Sequence, residues 1–143
     1  NAQGIKCFNV MCQPLRDNQM KKLLLIFTIA LINPVFAVDL CTIIAGATIV
    51  SQDGKYLGKI SNKYDSDSIL NEHGTYGSKY NSDSIWNEYG TYGGKYSSES
   101  PFNPYSSTPP FVIKDGKKIA HLTVNKNLES PLNPYVSKTC TFY

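Results

Sequence analysis

Arginine is nearly missing from this chain: the one copy is Arg16, and none occurs from Val38 to Tyr143. A nucleic-acid interface wants a clustered basic face whose guanidinium groups reach phosphates and base edges, so that class of partner is excluded. Four of the 14 basic residues (Lys6, Arg16, Lys21, Lys22) and one of the 11 acids (Asp17) precede Val38, which leaves ten of each beyond it and a net charge near zero. Histidine is as scarce, with only His73 and His121. A serine triad needs a histidine held by an acid. His73 stands where related blocks carry Tyr89 and Tyr105, and His121 lies in a strand-like run, so neither is placed for that work. Cysteine is limited to four copies with no CxxC pair, which is not a zinc ligand set. No metal or cofactor is implied. The longest apolar stretch, Leu23 to Ala37, is shorter than the roughly 20 residues of a spanning helix.

That stretch reads as a secretory signal. Lys21 and Lys22 follow Met20, Leu23 to Leu31 is the apolar region, Pro34 breaks the helix, and Val35 and Ala37 are small residues at −3 and −1. Cleavage after Ala37 is expected, giving a periplasmic or secreted domain over 38–143 with no stable membrane span. Residues 1–19, which begin without Met, are read as a leader outside the native fold, and 20–37 as the signal peptide. In an exported chain the remaining pair, Cys41 and Cys140, reads as a disulfide, the alternative being two buried free thiols.

The middle of the chain repeats with a period of 16. Lys63-Tyr64, Lys79-Tyr80 and Lys95-Tyr96 keep that step. So do Ser68, Ser84 and Ser100, Asn71, Asn87 and Asn103, and the apolar position Leu70, Trp86 and Phe102. A fixed period means copies of one small unit, each touching its neighbours. Ser-Asp-Ser-apolar-apolar-Asn predicts a short helical or turn segment with side-chain caps, and Gly74 and Gly90 fall where a left-handed stop would sit.

Strand signals flank the blocks. Thr42 to Val50 is β-branched and apolar, Lys55 to Ile60 alternates, and Asp53-Gly54 between them predicts a type I′ hairpin. Phe111 to Ile113, Asp115-Gly116 and Ile119 to Val124 repeat the arrangement, and Ser130-Pro131-Leu132-Asn133 follows as Ser68-Ile69-Leu70-Asn71 follows the first hairpin. The expected fold class is mostly β and irregular: two short β-hairpins flanking about three 16-residue Tyr/Gly/Ser turn-rich repeats, with short helical turns. The hairpin unit reads as duplicated, with two further blocks inserted after its first copy.

The stretch Asp53-Gly54-Lys55-Tyr56-Leu57-Gly58, with Tyr64-Asp65-Ser66-Asp67-Ser68-Ile69 and Gly74-Thr75-Tyr76-Gly77-Ser78-Lys79-Tyr80, resembles a group of small, mostly bacterial exported proteins. Their shared pattern is roughly DGxYLGxLSxNxYDxDSIxNxYGxYGSxYSxxSIxN. The resemblance covers about Asp53 to Tyr105 and implies no activity and no site residues.

Chemistry must therefore be read from the blocks themselves. Asp65, Asp67 and Glu72, with Asp83 and Glu88, could suggest a glycosidase pair, but acids that recur by repetition point to capping, and a weak Ca²⁺ site is the other use of such oxygens. The aromatic residues are more informative. Tyr76 and Tyr92 form one 16-step ladder and Tyr64, Tyr80 and Tyr96 another, with Trp86 and Tyr89 between. One ladder is expected to pack over glycine backbone as core, and an exposed one would make a platform that stacks on sugars or an extended partner chain. Tyr76, Tyr80, Trp86, Tyr89, Tyr92 and Tyr96 are the candidate binding residues. The expected function is a non-enzymatic binding or structural role at the cell envelope, with envelope glycan or a protein as partner. A small periplasmic enzyme inhibitor is the alternative, and an Asp/Glu wall-polymer hydrolase the weaker one.

Overall fold

The structure, a computed structural model, describes residues 39–143; the leader and signal-peptide expectations lie outside the described residues. It is mostly sheet and irregular chain. Helix α1 (Leu40–Ile44) and strands β1 (Thr48–Val50) and β2 (Tyr56–Lys59) come first. After a long central segment follow β3 (Phe111–Lys114), β4 (Lys117–Leu122), β5 (Pro131–Leu132) and helix α2 (Val136–Thr139).

The expected strand over Thr42 to Val50 begins only at Thr48. The Asp39 carboxylate accepts from the Cys41 amide at 3.3 Å and starts a helix instead, as a short acceptor side chain does at an N-cap. The five strands lie in the order β2-β1-β3-β4-β5. Both hairpins are antiparallel, they meet through β1 and β3 with Ile49 opposite Val112, and β5 runs parallel to β4. After the first hairpin Ser68 likewise pairs in parallel, with Lys59.

The two Asp-Gly turns differ. Asp115 and Gly116 have φ of 51° and 73°, as a type I′ turn requires at both central residues. In the turn of the first hairpin Gly54 is positive, at 91°, and Asp53 is not, so the type I′ expectation fails there. The Ser51 hydroxyl accepts from the Lys55 amide at 2.9 Å, and the Ser51 carbonyl from the Gly54 amide at 3.0 Å, which spreads the loop over more residues.

Between β2 and β3 the expected short helices are absent from the described residues. The backbone runs as consecutive turns. From Asn81 the amides of Ser84, Asn87 and Gly90 each donate to the carbonyl three residues back, Gly94 donates four back to Gly90, and Ser97 three back to Gly94. Four steps of three and one of four carry the chain from Asn81 to Ser97, one full sequence period. The residue opening a turn also accepts two residues ahead through its side chain: Ser68, Ser84 and Ser100 from Leu70, Trp86 and Phe102, each at 3.1 Å. Asn71, Asn87 and Asn103 accept likewise from His73, Tyr89 and Tyr105 at 2.9–3.1 Å. Such local bonds compete with helix, which is why the capping chemistry yields turns. Gly74 and Gly90 do not take positive φ, so the left-handed stop is corrected too.

The turns bury one stripe. Ser68, Ser84 and Ser100 are fully buried, as are Ile69, Ile85 and Pro101 beside them. Ile69 and Ile85 join Ile49, Leu57, Ile60, Val112, Leu122 and Leu132 in one core, each side chain contributing about 1.5–3 kcal/mol by leaving water. The buried hydroxyls stay satisfied: Ser68 donates to the Ser61 carbonyl at 2.8 Å and Ser84 to that of Tyr76 at 2.9 Å. Cys41 and Cys140 form a disulfide with Cα atoms 5.5 Å apart, joining α1 to the residue after α2 across 99 positions.

The acids with resolved partners serve this framework. Asp65 pairs with Lys59 at 2.8 Å and accepts from the Ser61 hydroxyl and the Asp67 amide, both at 3.0 Å. Lys59 first, then the Asp67 amide, hold the Asp65 carboxyl below its ordinary pKa, while Asp65 raises that of Lys59. A depressed carboxyl contributes stability above its unfolded pKa, near 4, and loses it as pH falls through the folded value; a raised lysine contributes below about 10.4 and loses it above. The melting temperature is therefore expected to fall below about pH 4, and less steeply in Asp65→Asn. Equal acid limbs in the two proteins, read by circular dichroism melts, would contradict this role for Asp65.

Candidate functional site

Trp86 lies on the turn opened by Ser84, and its position is set from three sides. The indole Nε1 donates to the Ile69 carbonyl at 2.6 Å, so the polar edge is satisfied inside the fold. Phe102, one period on, packs with ring centroids 5.4 Å away, and Tyr135 lies 6.1 Å from the indole and 5.3 Å from Phe102. Lys138 of α2 places Nζ 3.9 Å from the Trp86 ring centroid, a cation–π contact that covers part of the indole. Lys138 is two residues from Cys140, so the disulfide anchors the element that carries it.

These rings floor a cleft of about 630 Å³, within the roughly 300–1,000 Å³ of small-ligand sites. Tyr89 and Tyr96 rim it, 98% and 89% exposed, and Glu88, Lys95 and Val124 supply one carboxylate, one ammonium and an apolar wall. The cleft is aromatic with balanced charge.

Of the six candidate aromatics, Trp86, Tyr89 and Tyr96 are brought together here. Tyr80 is exposed with Lys79 over its ring at 5.1 Å, outside this cleft. Tyr76 and Tyr92 belong to the interior and leave the binding set. Tyr76 meets Tyr56 edge-on at 5.1 Å; a Cβ built on Gly58 would lie 2.7 Å from its own Cβ. Tyr92 is 8% exposed, and burial raises its phenol pKa. Lys55, paired with Asp83 at 2.6 Å, lies 5.2 Å from the Tyr92 ring centroid. Tyr76 thus packs on the Gly58 backbone and Tyr92 is buried, while Tyr64, Tyr80 and Tyr96 face solvent, each beside its preceding lysine.

Sequence reading missed Phe102, Tyr135 and Val124. Phe102 was signalled by its register with Trp86. Tyr135 lies far along the chain, and only folding of the second hairpin brings it near.

The carboxylates do not pair in this cleft, where Glu88 is the one acid. His121 Nδ1 lies 2.7 Å from the Glu129 carbonyl, so that nitrogen carries the proton and donates within the second half of the fold. Among the described residues no three His, Cys, Asp or Glu side chains gather as a metal site, and no helix is long and apolar enough to cross a membrane. In comparisons with protein-family models, curated proteins and solved structures, nothing matches this chain.

Proposed function

We propose that this is an exported, non-enzymatic domain built of 16-residue blocks that binds a glycan of the cell envelope through the aromatic cleft. The observation that carries the reading is the Trp86–Phe102–Tyr135 cluster, left half-exposed on a framework whose buried side-chain polar atoms are otherwise satisfied. Aromatic rings fixed in place stack on the apolar face of a pyranose at little entropic cost, and Glu88 and Lys95 offer an acceptor and a donor to its hydroxyl or acetamido edges. The signal-like segment and the disulfide support export.

A protein partner, as for a periplasmic enzyme inhibitor, is the second reading. The exposure of Tyr64, Tyr80, Tyr89 and Tyr105, at 79–98%, favours it, because tyrosine is enriched at protein interfaces. Since Trp86 is the chain's single tryptophan, its fluorescence reports the cleft directly. Soluble oligosaccharides of N-acetylated amino sugars are expected to shift it saturably, and Tyr135→Ala to weaken binding about 30-fold, equivalent to roughly 2 kcal/mol. No shift with any such sugar, at concentrations up to tens of millimolar, would overturn the glycan reading.

A further inference from the structure

Trp86 borders a second cleft. This cleft has a volume of about 410 Å³ and is lined by Leu70, Glu72, Gly77 and Trp86, with Lys138 and Phe142 among the others. Its first four residues map one period on to Trp86, Glu88, Gly93 and Phe102, and all four of those line the larger cleft. Each cleft thus has an apolar wall from one block, the matching wall from the next, a carboxylate two residues past the first wall and a glycine seven past it. The Lys-Tyr pairs do not follow that register: the smaller cleft holds Lys63-Tyr64, and the larger holds Lys95-Tyr96, two periods on. Trp86 serves as the second wall of one and the first wall of the other.

The glycine is a requirement of this arrangement. Cβ atoms built on Gly77 and Gly93 would lie 2.0 Å and 2.3 Å from the carbonyl oxygens of Asn71 and Asn87. At both positions the backbone therefore lies directly on the neighbouring turn, and no side chain stands in the cleft there.

The geometry points to two consecutive subsites for one linear polysaccharide, with Trp86 as their shared wall at the junction of adjacent sugar units. This rests on the glycan reading and specifies its ligand: a polymer of repeating, uncharged N-acetylated pyranose units, longer than one cleft. Repetition of the lining is the reason. A surface whose carboxylates and apolar walls recur by chain register suits a ligand that recurs along its own axis, whereas a folded protein surface presents no such repeat. In the larger cleft Glu88 against Lys95 is balanced and gives no preference for a polyanion, while the smaller sets Glu72 against Lys63 and Lys138. Glu72 and Glu88 accept from acetamido N–H or hydroxyl groups of successive units.

The test is a chain-length series. Oligomers of β-linked N-acetylglucosamine, from one to six units, are titrated against the oxidised protein by calorimetry and by Trp86 fluorescence. Affinity is expected to rise at least about tenfold between oligomers that fill one cleft and those that span both, as linkage of two weak sites predicts. The double variant Leu70→Ala with Glu72→Gln is expected to lose that gain while binding the shorter oligomers within about twofold of the parent. Glu72 is exposed and Leu70 is half-buried against the core, and a melting curve controls for folding. Single-site binding of constant affinity at every length, or a double variant with the gain intact, overturns the two-subsite inference and leaves glycan binding standing. Absence of binding at all lengths overturns both.

Discussion

Gly77→Ala is expected to unfold this domain or to cost it about 3 kcal/mol or more, a large part of the 5–15 kcal/mol typical of natural domains. The added Cβ would sit 2.0 Å from the Asn71 oxygen, 2.5 Å from its carbonyl carbon and 2.9 Å from its nitrogen. No rotamer change relieves contacts with backbone, and Asn71 is itself fixed as the first residue of a turn by its bond to the His73 amide. Gly93→Ala meets the Asn87 and Ile85 oxygens at 2.3 Å and 2.5 Å and is expected to behave alike. Gly116→Asn separates this effect from backbone freedom. Gly116 has φ +73° but nothing within 4 Å of an added Cβ, and asparagine tolerates the left-handed region, so a loss below about 1 kcal/mol is expected. Urea unfolding of the three variants decides the matter; similar losses at Gly77 and Gly116 would refute the close-approach account.

Cys41→Ser with Cys140→Ser carries the second large effect. Opening a loop of roughly 100 residues costs about 4–5 kcal/mol in the chain-entropy model, again comparable with the whole stability of a small domain. Without the bond, α1 keeps Ile44 in the core and the Lys114 bond to the Ala45 carbonyl. Helix α2 reaches the apolar core only through the partly buried Val136, so the loss should appear first at Lys138 over Trp86. The expected sequence in the reduced protein is a change in Trp86 fluorescence at lower urea than the loss of sheet signal. Coincident transitions, or a fall in stability under about 1 kcal/mol, would show that the bond does not anchor the cleft.

Glycine illustrates what could be read early and what could not. The 16-residue step of Gly58, Gly74 and Gly90 was visible in the sequence, yet the structure uses Gly58 differently from the other two. Gly58 has φ +103° against Tyr76 and Ile69, while Gly74 and Gly90 keep negative φ; the positions that admit no side chain are Gly77 and Gly93. Close approach is a relation between turns six residues apart, and propensity at one residue carries no trace of it. The same holds for tyrosine. Tyr76, Tyr80, Tyr92 and Tyr96 have similar local surroundings in the sequence, and the turn path directs the first and third inward and the others to water.

The sequence by itself determined the period, the two hairpins with their Asp-Gly turns and the Ser and Asn residues that bond their own backbone. Those depend on interactions within a few residues, whereas the Cys41–Cys140 pair, expected from the sequence with free thiols as the alternative, is brought together by the fold. Tertiary structure alone decided that the blocks run as successive turns and not as helical segments. It also decided that Ile69, Ile85 and Pro101 are fully buried, while Leu70, Trp86 and Phe102 beside them stay partly exposed. Neighbouring apolar residues in a block are locally equivalent candidates for burial, and only packing against the sheet distinguishes them. That choice leaves Trp86 at the surface, where Tyr135 and Lys138 from the far end of the chain meet it.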